Sequence, residues 1–469
     1  MLYQTIVDYF IQGIEKGSIL LGEKLPSLRQ VADQFDVSLS TAVEAYRKLE
    51  LFGYVSVKDR SGYFARLPLV GENNLRPSKK FKSKVSDIEH IDEIVEIYNH
   101  TLDREIAPFG VGTPAAGKFP HKMVNKHFMK TLKFHPEVSG SYIFGLGLQE
   151  LRSELARWVR PWVGVTSRDN ILITHGCLEA MNIALSAECS PGDIVAIESP
   201  CYFGILQAIH HHGLKALEVR THPEKGIEPE ALEDLAKNNK IKVLVSTPNA
   251  QNPLGFSMTD ERKKEILRIC KKYNITLIED DLYGEITYKA QRPKSYKYFD
   301  KDGIVTHCSS FSKFLGPGLR LGWCIFSNNS NKYLRQKLSL NLSTHSLTQH
   351  VAVGVLRNEG LLKVGNELGK YYQSNIQIYS NQLQSILGSK LTLSNPTGSY
   401  FLWARVEGLD ALEAYERAKR QKISFTPGPL FSATRLYSNY LRINCAHEFS
   451  ERRHQEVINL CKILAQKTG

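Results

Sequence analysis

Five apolar stretches in the middle of the chain each end in polar residues able to do chemistry. Residues 170–174 run into Thr174-His175-Gly176-Cys177-Leu178, and 194–198 into Ser199-Pro200-Cys201-Tyr202. Residues 242–246 lead to Pro248-Asn249-Ala250-Gln251-Asn252-Pro253-Leu254-Gly255, and 275–278 to Glu279-Asp280-Asp281-Leu282-Tyr283. The fifth, 304–308, is followed by Ser309-Ser310-Phe311-Ser312-Lys313, with Arg320 shortly after. A helix start at Gly176–Leu178 suits a phosphate, because its first N–H groups are unpaired and the helix dipole favours an anion. Arg320 adds a charge-assisted pair, and the Ser310 and Ser312 hydroxyls add further hydrogen bonds. The Lys313 amine suits a Schiff base with an aldehyde. Asp280 suits a pyridine nitrogen, keeping it protonated so that the ring acts as an electron sink. Asn252, Tyr202 and Tyr283 complete the set. A ligand that needs all of these is pyridoxal 5′-phosphate (PLP).

The elements around these residues alternate strand and helix from about residue 101. Such alternation builds a mainly parallel sheet with helices on both faces, and ligands bind outside the carboxyl ends of its strands. From about residue 346 the texture changes to a long helical region (346–387) and then a strand, PTGSYFLWARV. That change marks a smaller α+β domain at 346–469, after a large domain at 101–345.

The N-terminal texture is different again. Ile6, Phe10 and Ile14, with Val7 and Ile11 beside them, form one helix face. Pro26-Ser27 start a second helix with Val31, Ala32 and Phe35 on its apolar side. After the turn at DVS, a third helix, LSTAVEAYRKLELFG, places Val43, Tyr46 and Leu49 inward and stops at Gly53. Tyr54–Val57 and Tyr63–Ala65 then flank KDRSG as a hairpin. Three helices and a hairpin over 1–66 read as a winged helix-turn-helix. Residues 67–100 read as a linker, with Asp87–His100 a candidate helix of the following domain.

The 469 residues are 42% hydrophobic and 23% charged, which excludes a disordered or collagenous chain. No stretch reaches the ~18 apolar residues of a membrane span, so no membrane partner is expected. MLYQTIVDYF carries Asp8 and no basic run, unlike a secretory leader. The eight cysteines form no C-x-x-C pair and read as reduced thiols of a cytoplasmic protein, with no metal expected. The formal charge of +12 invites nucleic acid, yet residues 1–66 balance eight Lys/Arg against eight Asp/Glu. The helix pattern, not the charge, places a DNA-binding domain there.

Taken together, S-x-x-K at Ser310–Lys313, D-x-x-Y at Asp280–Tyr283, N-P-L-G at Asn252–Gly255 and R-I-N-C-A at Arg442–Ala446 resemble class I/II aminotransferases of PLP fold type I. With LPSLRQVA and SGYF near the N-terminus, the whole chain resembles the MocR branch of GntR-type regulators. The resemblance implies an internal aldimine on Lys313, Asp280 on the pyridine nitrogen, and Asn252 and Tyr283 on the ring 3-oxygen. It implies that Tyr202 stacks on the ring, that Gly176, Cys177, Ser310 and Arg320 hold the phosphate, and that Tyr142 reaches the phosphate of a partner subunit in a homodimer. Arg442 would grip the α-carboxylate of an amino compound or amino acid. For DNA, Arg29, Ser38, Ser40, Thr41 and the wing tip Ser61-Gly62 match, whereas Leu39 and Val43 stand where several relatives of that type hold basic residues. The plainer readings are a packed core residue for Tyr202 and Tyr142, and a salt bridge within the head for Arg29. The function implied is a regulator that senses PLP or an amino compound through an aldimine and binds a double-stranded operator. The alternative is a working aminotransferase with an accessory DNA-binding domain.

Overall fold

An apolar stripe drives the first helix, α1 (Leu2–Glu15), to bury Ile6, Val7, Phe10 and Ile14. The computed structural model describes residues 2–58, 62–66, 75, 81, 83–89, 91–100, 105–327, 330–357 and 360–466. Helix α2 (Leu28–Gln34) opens on a capping box: Gln30 N donates to Ser27 Oγ at 3.4 Å, and Ser27 N to Gln30 Oε1 at 2.8 Å. Helix α3 (Leu39–Leu51) is capped by Ser38, whose Oγ accepts from Thr41 N at 3.2 Å. It buries Ala42, Ala45, Tyr46 and Leu49. Val43, expected inward, is 45% exposed. It sits one residue round from Ala42, off the stripe that Ala42, Ala45, Tyr46 and Leu49 complete. Strands β1 (Val55–Lys58) and β2 (Gly62–Ala65) pair antiparallel as the wing.

Of the expected linker at 67–100, residues 67–74, 76–80, 82 and 90 lie outside the described residues. Strand β3 (Val85–Ser86) pairs antiparallel with residues 216–217 of the large sheet. Helix α4 (Ile91–His100) buries Ile94 and Ile97, and its Glu93 bonds Arg435. Residues 85–86 and 91–100 thus pack on the second body, because a 3.6-residue apolar period in the helix has a surface to cover.

The five apolar stretches are all strands: β4 (Ile171–Thr174), β5 (Ile194–Ser199), β7 (Ile241–Ser246), β8 (Thr276–Asp280) and β9 (Val305–Ser310). Two further strands, β6 (Lys215–His222) and β10 (Gly322–Ile325), complete the path β3-β6-β5-β7-β8-β9-β10-β4. The pairs β6–β5–β7–β8–β9 are parallel, and β10 is antiparallel to both its neighbours. Helices α5 (Cys177–Glu188) and α6 (Phe203–His211) follow β4 and β5.

The expected helical region at 346–387 is two helices, Ser346–Leu356 and the 27-residue α7 (Leu361–Leu387). Beyond α7, strands β11 (Leu391–Leu393), β12 (Phe401–Val406), β13 (Thr426–Pro427) and β14 (Tyr440–Asn444) form an antiparallel sheet in the order β11-β12-β14-β13. Helix α8 (Glu451–Ala465) closes this domain. The far half of α7 meets the head, where Asn381 Nδ2 donates to Leu51 O at 3.2 Å. Among the described residues no helix is long and apolar enough to cross a membrane. All eight cysteines are free thiols.

Candidate functional site

Parallel pairing of β8 and β9 brings Asp280 and Lys313 to the same edge of the sheet, since Asp280 is in register with Cys308. Asp280 is buried, and its Oδ1 accepts from Leu282 N at 3.2 Å and from Cys177 Sγ at 3.4 Å. Burial pushes its carboxyl up to about 6; Asp281 adds to the rise, while the Cys177 and Leu282 hydrogen bonds and the Lys313 cation oppose it. Lys313 Nζ donates to Gly112 O at 2.7 Å and lies 5.6 Å from the centre of the Tyr283 ring. Burial lowers its amine to about 8, helped by the Arg442 and Arg320 cations and opposed by Asp280. Ser310 is buried, and its Oγ accepts from Ser312 N at 3.2 Å, tightening the turn that presents Lys313.

The start of α5 lies under Arg320. Gly176 holds φ at +104°, and a Cβ there would stand 3.1 Å from Arg320 Nη2. That nitrogen donates to His175 O at 2.8 Å. A guanidinium beside a helix start that opens on a glycine suits a phosphate. The Cys177 thiol is directed to Asp280, and burial followed by that carboxylate raises its pKa.

Arg442 enters from the small domain on β14 and is fully buried. Its Nη1 donates to Asn252 Oδ1 at 3.0 Å, and its Nη2 to Gly110 O at 2.6 Å and Thr426 Oγ1 at 3.2 Å. Its Nε has no partner. A guanidinium has five N–H groups, so the Nε–H and one Nη1–H are uncommitted. The Phe401 ring lies 4.3 Å from Cζ. Burial lowers its pKa, and nearby tyrosines counter this. Tyr283 is buried against Phe401 and Tyr400, and burial raises its pKa. Tyr202 precedes α6, and its hydroxyl lies 3.0 Å from that of Tyr98.

Lys313, Asp280, Tyr283, Asn252 and Arg442 therefore meet in one place, with Ser310 and Ser312 in the adjoining turn and Gly176, Cys177 and Arg320 at the α5 start. Tyr142 does not join them within its own chain. It is 70% exposed and packs on Phe144, which is 61% exposed, so it is not a core residue. In the head, Arg29 is exposed and makes no ion pair among the described residues. Ser38 Oγ lies 2.8 Å from both Ser40 Oγ and Thr41 Oγ1, so its hydroxyl serves the cap. Arg29, Lys24 and Gly62 line one groove between α2 and the wing, while Ser61 lies outside the described residues.

Sequence reasoning missed the segment 109–113, whose carbonyls organise the pocket. Gly112 O accepts from both Lys313 and Tyr400, and Gly110 O from both Arg442 and Thr426. Both glycines lie in close approach: a Cβ at Gly110 would lie 2.2 Å from Ser424 Oγ, and one at Gly112 3.0 Å from Phe401 Cζ. The signal was the spacing Phe-Gly-Val-Gly before a proline. Tyr98 was missed because it sits in the supposed linker.

The residues fit PLP on their own chemistry: a buried amine of lowered pKa, a buried carboxylate, a phosphate cradle and a cationic anchor with free donors. Comparison with known proteins agrees on the class. Residues 125–458 match the aminotransferase class I and II family, and residues 2–64 match the gntR family of bacterial regulatory proteins. The kynurenine aminotransferase structure from Pyrococcus horikoshii superposes with a TM-score of 0.74, at 26% identity over 83% of this chain and 96% of that one. Two HTH-type transcriptional regulators of Escherichia coli K12 are each 33% identical: YjiR over 96% of both chains and YdcR over 99% of both. The chain thus belongs to the class I/II aminotransferase family, a PLP-dependent fold. With its N-terminal head it belongs, more narrowly, to the MocR branch of GntR-type transcriptional regulators.

Proposed function

We propose that this chain binds operator DNA through its head and PLP in its aminotransferase-like pocket, and that an amino compound at that pocket regulates DNA binding. The observation that carries the reading is the meeting of Lys313, Asp280 and Arg442 in a body joined to a winged helix-turn-helix. Bound PLP would supply an electrophilic carbonyl and an electron-withdrawing ring. Lys313 would be its covalent anchor. Asp280 would hold the proton at the pyridine nitrogen, and Tyr283 and the free Nδ2 of Asn252 would hold the ring oxygen. Tyr202 would cover the ring. The α5 start, Arg320 and Ser310 would hold the phosphate. Arg442 would receive a carboxylate on its uncommitted donors, and a bidentate grip needs Gly110 O or Thr426 to release it.

In the head, Leu39 and Val43 are 49% and 45% exposed on α3. An outward face that is apolar reads thymine methyls and base edges by contact, while Arg29 anchors phosphate. We also propose a homodimer. Tyr142, Phe144, Leu340 and Leu342 are all largely exposed, and Ser343 Oγ ties 341–344 to Ile143. That makes one apolar patch of the kind a second copy covers. A reader of operators works where the DNA is, so the cytoplasm is the expected compartment.

The lowered pKa of Lys313 also favours a second reading, an active aminotransferase. Full-length protein incubated with PLP should develop the visible band of a lysine-bound cofactor and bind a duplex enriched from a random library. A missing band rules out the cofactor reading. Sustained conversion of amino acids to oxo acids, with no enriched duplex, favours the enzyme.

A further inference from the structure

The excess positive charge of the chain sits outside its head. Of the 60 Lys/Arg and 48 Asp/Glu, residues 1–66 hold eight of each and 67–100 hold five and six, which leaves 47 against 34 in residues 101–469. Part of that excess is gathered on one helix, His121–Phe134, which carries Lys122, Lys126, Lys130 and Lys133 and no acidic residue. At about 100° per residue the four lysines fall within an arc of about 80°. Val124 and Thr131, the buried residues of the helix, lie on its far side. All four lysines are exposed, and none makes an ion pair among the described residues. Other cation-rich helices of this body are neutralised. Asp260–Lys272 interleaves Asp260, Glu261 and Glu265 with its cations. Ser330–Leu340 also lacks an acid, but its Lys332 pairs with Glu188 at 2.7 Å and its Lys337 with Glu179 at 3.2 Å.

Like charges at i,i+4 destabilise a helix. The same repulsion reaches His127, whose pKa is lowered by burial and then by Lys126 and Lys130. Those two lysines also line a cleft of about 590 Å³ with His127, His135 and His350, where Glu150 is the one carboxylate among the described residues. A polyanion laid along the row would relieve the repulsion. The charge balance names the polyanion: the head that reads DNA is neutral overall, so phosphate neutralisation falls to the other body. Duplex DNA carries one charge per ~1.7 Å of its axis, and the row from Lys122 to Lys133 is about 17 Å long, enough to face about ten of them. The helix also leads into the apolar patch of the proposed dimer, for the chain passes from Phe134 to Tyr142 through Ser141, whose carbonyl accepts from Ser346 Oγ at 2.6 Å. An isologous dimer over that patch presents two such rows related by a two-fold axis, as are the halves of a palindromic operator.

We propose that the His121–Phe134 helix is a second DNA contact, which holds backbone phosphates without reading sequence. It rests on the DNA-binding reading of the head. The experiment uses full-length protein, a duplex enriched from a random library and an unrelated duplex of the same length. Changing Lys122, Lys126, Lys130 and Lys133 together to Gln should weaken binding to both duplexes by the same factor, at least about tenfold near 0.1 M salt, and lower the salt slope by about 3–4. The same four positions changed to Arg should keep parental affinity. A second variant loses the same charge elsewhere, with the exposed Lys225, Lys240, Lys242 and Lys301 changed to Gln, and should keep most of the slope. Equal losses in the two Gln variants would reduce the effect to net charge and overturn the contact. So would an unchanged slope in the first variant, or a loss confined to the enriched duplex. Phosphatidylglycerol vesicles that bind the parent and not the first variant, with DNA binding unchanged, would overturn it in favour of a membrane surface. If Arg29→Ala loses affinity while the first variant does not, the head's reading stands and this contact falls; a parent that binds neither duplex overturns both.

Discussion

Asp280→Asn should move two properties in opposite directions. In the protein without cofactor, burial raises the Asp280 carboxyl from 3.8 to about 6. At ~1.36 kcal/mol per unit that is about 3 kcal/mol. The sign follows from proton linkage: between pH 4 and 6 the folded chain holds a proton that the unfolded chain releases. Stability therefore falls as pH rises through that window and stays low above it. At neutral pH the buried charge works against folding, and asparagine removes it while its Oδ1 still accepts from Leu282. The cofactor-free variant should be stabler than the parent at about pH 7.5 by roughly 1–3 kcal/mol, with the gain shrinking towards about pH 4. Cofactor affinity should fall, because the counter-charge to a buried cation is gone, a loss of about 2–5 kcal/mol. Thermal unfolding of cofactor-free protein across pH, with PLP titrations of both forms, measures the two effects. A variant less stable at neutral pH, or one that keeps parental PLP affinity, would refute the reasoning.

Lys313→Ala should abolish the borohydride-fixed PLP adduct, and in the parent the rate of anchoring should rise with pH and level off above about 8, where the amine is neutral. Mass spectrometry of the reduced peptide checks the first, and stopped-flow absorbance the second. Arg29→Ala should weaken DNA binding at all sequences and reduce the salt slope by about 1, as loss of one phosphate contact does; fluorescence anisotropy across salt concentrations reads this. Tyr142→Asp with Phe144→Asp should shift the mass from light scattering from dimer to monomer, by placing charge in the apolar patch.

The sheet was legible because its strands are near-continuous apolar runs, which a parallel sheet buried on both faces requires. The ends of those runs gave Lys313, Asp280, Asn252 and Tyr283, and the structure brings them together. Strand β10, Gly322–Ile325, was not legible: it opens on a glycine straight after the Gly- and Pro-rich run GPGLRL, which reads as loop. Gly110 and Gly112 act through carbonyls, which no side-chain inventory reveals. Tyr98 and β3 were hidden by polar flanks that resemble a linker. Val43 was misplaced inward because a hydrophobic residue on a helix reads as core until a neighbouring stripe, here Ala42, Ala45, Tyr46 and Leu49, is seen to fill it. The Cys177 thiol donates to Asp280 Oδ1 at 3.4 Å, a contact across 103 residues that no local pattern shows.

The central claim is that pocket and head are energetically coupled. Operator affinity of the full-length protein, measured in one salt buffer, tests it in three forms: cofactor-free, PLP-loaded, and Lys313→Ala mixed with PLP. Coupling predicts that loading changes affinity by about 5–150-fold, and that Lys313→Ala stays at the cofactor-free value. Equal affinities in all three forms would contradict it.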